Sequence, residues 1–202
     1  NVLNDFITAN KLLVEGPTDK EVLKKTMHSI DKEFECAISS GKGDNIDKVA
    51  SLLSFQDVTT VCVVDDDRQG HKHKSNILKL DNKFAKNVYT YRDIEPRLMQ
   101  GCTIEDLYNI EYVISIFKLK HKEHFCEEVK EEFELDHPIL DSIKEYLNFY
   151  THKSTKRKNE KFINDLKSRL ANNFVPTNVE NNHPLLYSFT LNLIDKIKKS
   201  AS

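Results

Sequence analysis

Carboxylates follow two apolar runs of the sequence, at the point where each run ends. Glu15 comes directly after residues 12–14, and three consecutive aspartates at 65–67 come directly after residues 61–64. Adjacent like charges repel one another, so a cation or strong hydrogen-bond donors must offset the repulsion. Carboxylate oxygens suit a hard divalent ion such as Mg²⁺, which keeps some waters for a substrate phosphate. The pattern therefore predicts a metal site that acts on phosphate.

The spacing of these carboxylates favours a shared site. In an extended segment successive side chains point to opposite faces, so we expect Asp65 and Asp67 on one face and Asp66 on the other. Asp19 adds a carboxylate one helical turn beyond Glu15. Taken alone, Glu15 and Asp19 are also what a helix N-terminus favours, because negative charge is stabilised there. Their combination with the aspartate run favours the metal site.

The first half of the chain alternates strand-like and helix-like patterns, which predicts an α/β fold with a mainly parallel sheet. In such a sheet ligands bind at the carboxyl ends of the strands, where Glu15 and the aspartates are expected to lie. Thr18 with Glu21 predicts a capping box for the first helix. Strands are expected near residues 11–14, 34–39, 59–64 and 87–91, and helices near 18–29, 45–53 and 75–84.

The second half shows helical patterns alone, near residues 105–118, 121–134, 138–150, 159–172 and 184–199. We expect a catalytic core over residues 1–110 and an all-helical C-terminal region over 111–202 that completes it. No stretch approaches the roughly 18 apolar residues that a membrane span needs, and the N-terminus shows no signal-peptide pattern. The sequence therefore predicts a cytoplasmic protein with no membrane partner.

Two motifs resemble those of TOPRIM domains. Residues 13–19, LVEGPTD, resemble the V-E-G-x-x-D signature, and residues 63–67, VVDDD, resemble the D-x-D motif. The resemblance covers roughly residues 10–110, with each motif at the end of a predicted strand. It implies a TOPRIM-like, mainly parallel sheet flanked by helices, with Glu15, Asp65 and Asp67 as catalytic metal ligands.

Residues 103–108, TIEDLY, resemble an acidic element of the overcoming-lysogenization-defect (OLD) nucleases that supplies ligands to a second metal. The resemblance implies a divalent-metal-dependent endonuclease with two Mg²⁺ or Mn²⁺ ions. Asp65, Asp67 and Glu15 would hold one ion, with Glu15 also a candidate for proton transfer. Asp19, Glu105 and Asp106 would serve the other ion. The alternative for Glu105 and Asp106 is the acidic first turn of a helix capped by Thr103.

Basic residues near the predicted site are candidates for contacts with nucleic acid. The net charge of −2 makes any such contact a matter of local patches. Residues 68–74, RQGHKHK, are expected to form a solvated loop in which Arg68 and Lys72 contact backbone phosphate. Lys42 lies in a glycine-containing turn between a strand and a helix, where an anion is favoured. The alternative for residues 68–74 is a transition-metal site with His71 and His73, and the alternative for the segment of Lys42 is a turn without a ligand.

The most basic segment is residues 153–158, KSTKRK. OLD-type nucleases carry a lysine near the metals in their helical part, and by that resemblance Lys158, or Lys156, is the candidate catalytic lysine. Lys156 and Arg157 are candidates for contacts with nucleic acid. The alternative is a solvated loop and helix start.

The resemblance also implies partners. In the OLD family the TOPRIM domain follows an ABC-type ATPase, and family members act against phage or other foreign DNA. The G-x-x-x-x-G-K-[ST] motif of such an ATPase is missing from this sequence. We therefore expect an ATPase on an absent segment or a separate subunit, DNA as the substrate, and a homo-oligomer formed through the ATPase.

Two other functions are open. The first is a topoisomerase or primase core, which shares the fold; Tyr89 and Tyr91 lie in a predicted strand, so neither is an obvious nucleophile for a topoisomerase. The second is a non-catalytic TOPRIM-like module that mediates assembly. The intact carboxylate positions argue against the second function, although ligands can persist in a regulatory metal site.

Overall fold

The computed structural model describes residues 10–43, 45–54, 59–80, 87–120, 137–150 and 156–201. Its centre is a sheet of four strands in the order β2-β1-β3-β4. Every strand pair in it is parallel, as the alternating pattern predicts. The strands are β1 (Lys11–Val14), β2 (Ala37–Ser40), β3 (Thr60–Val64) and β4 (Val88–Thr90).

The register of the strands aligns their carboxyl ends. Val14 of β1 lies opposite Val63 of β3, and Val64 of β3 lies opposite Thr90 of β4. The residues that follow these strands therefore emerge at one edge of the sheet, where a parallel sheet binds its ligands.

Helices cover both faces of the sheet. One face carries α1 (Pro17–Ile30), and the other carries α2 (Ile46–Ser54) and α3 (Arg68–Ile77). A short helix α4 (Tyr91–Ile94) follows β4 directly. All residues of β1 and β3 are buried, which explains their nearly continuous apolar sequences, since a strand covered on both faces has no solvent side.

The second half of the chain is helical in the residues that the structure describes. A 3₁₀ helix is followed by five α-helices, of which α7 and α9 pack against α1. Phe174 and Phe189 from this part join Leu12, Val14 and Val63 of the sheet in one apolar cluster. The bounds are Ile104–Leu107 for the 3₁₀ helix, Ile110–Lys120 for α5, Ile139–Tyr150 for α6, Lys156–Asn173 for α7, Val179–Asn182 for α8 and Pro184–Ala201 for α9.

None of the helices in the described residues is long and apolar enough to cross a bilayer. The predicted helix at 105–118 is divided into the 3₁₀ helix and α5. The second strand begins at residue 37 and not at 34. The predicted helix at 121–134 lies outside the described residues.

The start of α3 differs most from the prediction. The expected loop at 68–74 is helical, because the Asp67 side chain caps the helix by accepting a hydrogen bond from the Gly70 amide at 2.7 Å. The predicted capping box of α1 is also wrong. The helix begins at Pro17, and Asp19 Oδ2 accepts a hydrogen bond from the Gly16 amide at 3.0 Å.

Candidate metal centre

Carboxylates at the end of β1, in the first turn of α1 and at the end of β3 meet at the carboxyl edge of the sheet. Glu15 follows β1 and Asp65 follows β3, and the Asp65 amide donates to Glu15 Oε2 at 3.3 Å. Asp19 lies in the first turn of α1, which returns at once from the end of β1, and is buried. The short connection between β1 and α1 thus places two acidic side chains beside the end of β3.

Glu105 of the 3₁₀ helix joins them from the second half of the chain. Its side chain is 1% exposed, and Thr103 Oγ1 donates to Glu105 Oε2 at 2.6 Å. Its negative charge raises the pKa of both Asp19 and Asp65, which places all three carboxylates in one site. We call Glu15, Asp19, Asp65 and Glu105 the carboxylate cluster.

The cluster combines burial with like charge. Burial raises the pKa of Asp65 well above its usual range, and the charges of Asp19 and Glu15 raise it further. Burial likewise raises the pKa of Glu15 and of Asp19. Both effects disfavour the ionised carboxylates, and a bound cation would reverse them by favouring the charged form.

Lys167 of α7 supplies a cation to this cluster. Its Nζ lies 3.4 Å from Glu105 Oε2. Burial lowers the pKa of Lys167, but the charges of Glu105, Asp65 and Asp19 outweigh burial, so the net pKa is raised and the amine stays protonated. The side chain therefore brings a fixed positive charge to the edge of the site.

Lys167 is the site residue that the sequence analysis did not single out, since Lys158 and Lys156 were preferred. A signal for it exists in the sequence. Lys167 follows Ile163 by one helical turn and stands next to Leu166, and both of these residues are buried. A lysine on the apolar side of an amphipathic helix is expected to be partly buried and to meet an acidic partner.

A cleft of about 720 Å³ opens beside the cluster. Asp65, Asp67 and Lys167 line it together with other residues of α6 and α7. Asp66 is not among the lining residues, and its Oδ2 accepts a hydrogen bond from the Gly101 amide at 3.1 Å. The structure therefore agrees with the predicted alternation of the three aspartates.

Asp67 has a second role besides lining the cleft. Its Oδ1 accepts the capping hydrogen bond of α3, and its charge raises the pKa of Glu15. Asp67 therefore lies on the Glu15 side of the cluster, with its second carboxylate oxygen left for a ligand.

Asp106 is placed differently from the other predicted ligands. Its two oxygens accept hydrogen bonds from the amides of Thr103 at 2.8 Å and Ile139 at 2.7 Å. It lines a separate, mostly apolar cavity of about 370 Å³, and burial raises its pKa to about 6. The helix-start explanation thus describes Asp106 well, while Glu105 joins the cluster. The assignment of Asp106 as a metal ligand stays a prediction.

Three of the predicted nucleic-acid contacts, Lys42, Arg68 and Lys72, are exposed. Lys42 is exposed in a left-handed backbone conformation, with φ of 51°. The adjacent Gly43 amide donates to the Glu15 carbonyl at 2.9 Å, which ties this turn to the end of β1. Arg68 and Lys72 are exposed on helix α3. The side chains of Lys156, Arg157 and Lys158 lie outside the described part of the structure.

The two histidines after the aspartates do not form a pair. His71 Nε2 lies 3.3 Å from Asp66 Oδ1. His73 is buried, with its Nδ1 2.6 Å from Asp47 Oδ1 of α2. Each histidine thus contacts a different carboxylate.

The carboxylate cluster has the type of donor that a hard divalent cation requires. The cluster offers oxygen ligands alone, which is the chemistry that Mg²⁺ and Mn²⁺ prefer. Within the described residues, no group of three Asp, Glu, His or Cys side chains stands close enough together to hold one ion. The chemistry of the donors therefore suits the cation. Binding requires the carboxylates to move closer together around the ion.

Comparison with known proteins agrees with the geometry. Residues 6–67 match the family model of the overcoming lysogenization defect protein-like TOPRIM domain. No curated protein and no solved structure matches the chain. The matched segment includes Glu15, Asp19, Asp65 and Asp67 and ends before Glu105. Over residues 6–67 the chain is therefore similar to the OLD-like TOPRIM domain.

Proposed function

We propose that this chain is a metal-dependent nuclease domain that hydrolyses phosphodiester bonds of DNA. The family match supports a metal-binding domain that works on nucleic acid. The observation that carries the finer proposal is the carboxylate cluster with the half-buried Lys167, assembled at the carboxyl edge of a parallel sheet. The carboxylates beside the cleft are suited to bind divalent ions, and the positively charged amine of Lys167 is suited to bind a phosphate.

The carboxylates divide into two groups by position. Glu15, Asp65 and Asp67 lie at the ends of β1 and β3 and would hold one Mg²⁺ or Mn²⁺. Asp19 and Glu105, whose charges act on one another, would serve a second ion. When bound, such ions polarise a phosphodiester and stabilise the charge that develops on it.

Lys167 has the role that the sequence analysis gave to Lys158. Its protonated amine lines the cleft beside Asp65, where it would contact a phosphate oxygen and stabilise negative charge in the transition state. Burial strengthens this effect, because a charge in a low-dielectric site acts more strongly than the same charge in water.

Glu15 is the candidate for proton transfer. Burial raises its pKa above the usual value for a glutamate, which brings the group closer to neutral pH, where a general base is most effective. Its Oε2 accepts a hydrogen bond from the Asp65 amide at 3.3 Å, so its orientation is coupled to the end of β3.

A topoisomerase is less well supported, because such an enzyme needs a nucleophilic tyrosine. Tyr91 lies at the site but is 0% exposed. Burial, followed by the cluster carboxylates, raises its pKa well above the usual range. Both features disfavour nucleophilic attack by its hydroxyl.

A non-catalytic assembly module would have to retain buried like charges without a catalytic reason. Such charges oppose folding unless a ligand offsets them. We further propose that the chain works with an ABC-type ATPase in an OLD-type anti-phage protein, and that this ATPase mediates homo-oligomer formation. The support for this partner is the family match.

The test is incubation of the purified chain with supercoiled plasmid in Mg²⁺, Mn²⁺ or EDTA. We expect metal-dependent nicked or linear products, lost in Glu15→Ala and retained in Glu21→Ala. Glu21 is an exposed acidic residue of α1 and serves as the matched control. Relaxation to closed circles would instead support a topoisomerase, and cleavage that survives Glu15→Ala would refute the site.

A further inference from the structure

Tyr91 lies beside the carboxylate cluster and has no part in the mechanism above. It is the first residue after β4, and Val64 pairs with Thr90 in the register of β3 and β4. Tyr91 and Asp65 are therefore the next residues of two adjacent strands, at the edge where the cluster forms. The sequence analysis placed Tyr91 inside a strand, but it begins α4.

The ring of Tyr91 is held rigidly. It is fully buried and stacks on Phe189 of α9, with ring centroids 5.1 Å apart and an interplanar angle of 28°. Stacked aromatic pairs contribute beyond their buried area. The ring thus fixes the direction in which the hydroxyl points.

The hydroxyl of Tyr91 has no hydrogen-bond partner among the described residues. A buried polar group without a partner opposes folding, and phenylalanine would fill the same space without that penalty. Packing therefore explains the ring of Tyr91 and leaves its hydroxyl unexplained.

The hydroxyl lies within electrostatic reach of the cluster. After burial itself, the charges of Asp19, Asp65 and Glu105 are the largest effects that raise its pKa. The group therefore stays a neutral donor. A neutral donor can form hydrogen bonds with ionised carboxylates without placing a second positive charge where a cation would bind. Lys167, by contrast, carries a positive charge.

We infer that Tyr91 is a positioning residue for the carboxylate cluster. Its hydroxyl donates a hydrogen bond to a cluster carboxylate when the cluster closes around a divalent cation. The register of β3 and β4 indicates Asp65 as the acceptor. This inference rests on the proposed metal site. Hydrogen bonds of this kind orient metal ligands, and their loss typically weakens metal binding by about 10–100-fold.

The experiment is a calorimetric titration of the metal-free chain with Mn²⁺, together with its thermal unfolding in EDTA. Tyr91→Phe removes the hydroxyl and keeps the stacked ring. The matched control is Tyr112→Phe, because the Tyr112 hydroxyl donates to the Leu170 carbonyl at 2.7 Å and thus has a partner.

We expect Tyr91→Phe to weaken Mn²⁺ binding by about tenfold or more, with a melting temperature in EDTA equal to or above that of the wild type. Tyr112→Phe should show the reverse, with unchanged Mn²⁺ affinity and a lower melting temperature. If Tyr91→Phe binds Mn²⁺ with wild-type affinity, or if this variant fails to fold, the inference about Tyr91 is overturned and the proposed metal site is not affected. A wild-type chain that binds no Mn²⁺ would overturn the metal site as well.

Discussion

Asp65 is the central residue of the proposed metal site. Three features act on it at once: burial, the charges of Asp19 and Glu15 that oppose its ionisation, and the charge of Lys167 that favours it. The raised pKa shows that the opposing effects dominate. An aspartate in this position weakens the metal-free fold, and a bound cation is what would compensate.

Replacement of Asp65 by asparagine should therefore stabilise the metal-free chain. At pH 7 we expect Asp65→Asn to raise the free energy of unfolding in EDTA by roughly 1 kcal/mol or more, since one pKa unit corresponds to about 1.4 kcal/mol. Mn²⁺ should no longer stabilise the variant. Urea unfolding measures both effects. Asp195→Asn, at an exposed residue of α9, is the control and should change neither.

Replacement of Lys167 should affect catalysis, because its proposed role is to contact the substrate phosphate. Lys167→Met keeps the length of the side chain and removes the amine. We expect plasmid cleavage to fall by roughly 10²–10³-fold, as for the loss of one donor to a developing oxyanion. Lys161→Met, at an exposed position of the same helix, should cleave at the wild-type rate. Cleavage by Lys167→Met within a few-fold of wild type would remove Lys167 from the mechanism.

At the scale of elements, the turn from β3 into α3 sets the geometry of the site. The helix returns so closely on the strand that a Cβ at Gly70 would lie 1.9 Å from the Asp65 carbonyl oxygen. The absence of a side chain at this position lets Asp67 cap the helix while Asp65 faces the cleft.

Gly70→Ala should consequently destabilise the fold and the site together. The displaced backbone should lower the free energy of unfolding by roughly 1–3 kcal/mol, the range for overpacking, and should weaken Mn²⁺ binding. Denaturant unfolding and calorimetry measure these two effects. Lys72→Ala in the same helix, at an exposed position, is the control. Wild-type stability in Gly70→Ala would show that α3 does not pack as described.

The elements also show what the sequence could predict. Strands β1 and β3 were predicted because apolar runs that end in carboxylates are typical of buried parallel strands. Helix α3 was not predicted to begin at Arg68, because it begins with six polar residues and a glycine, and its cap and close packing hold it in place. Glu105 was identified by resemblance. Lys167 was missed, because the choice among nearby lysines depends on how α7 packs against the core.

At the scale of the whole molecule, the two halves of the chain complete each other. The first half supplies Glu15, Asp19 and Asp65, and the second supplies Glu105 and Lys167. The apolar cluster that includes Leu12 and Val14 of β1 also includes residues of α7 and α9. The matched TOPRIM segment therefore holds only part of the site.

The charge balance of the molecule predicts how the metal-free chain responds to pH. The folded-state pKa values of Glu15, Asp19 and Asp65 are raised, and that of Asp106 is raised to about 6 from 3.8. The folded chain therefore binds more protons than the unfolded chain at mildly acidic pH. This contribution is fully present below the unfolded pKa values and is lost as pH rises through the folded ones.

Stability in EDTA should accordingly fall as the pH rises from about 4 to 7, the window set by these shifts. Glu95, whose pKa is lowered from 4.5 to about 2 by Arg97, acts in the opposite sense, and this effect overlaps only the lower end of the window, since it ends once the unfolded glutamate has lost its proton. Urea unfolding across the pH series measures the effect, and Mn²⁺ should offset it near pH 7. A stability in EDTA that increases from pH 4 to pH 7 would contradict the raised pKa values.

Anomalous diffraction from crystals grown with Mn²⁺ would show whether the carboxylate cluster is a divalent-metal site. We expect anomalous density between Glu15, Asp19, Asp65 and Glu105, with the Asp65 side chain in contact with the ion. Anomalous density confined to the rim of the cleft would contradict the assignment of this site. An ordered cluster that holds no ion in crystals grown with saturating Mn²⁺ would contradict it as well.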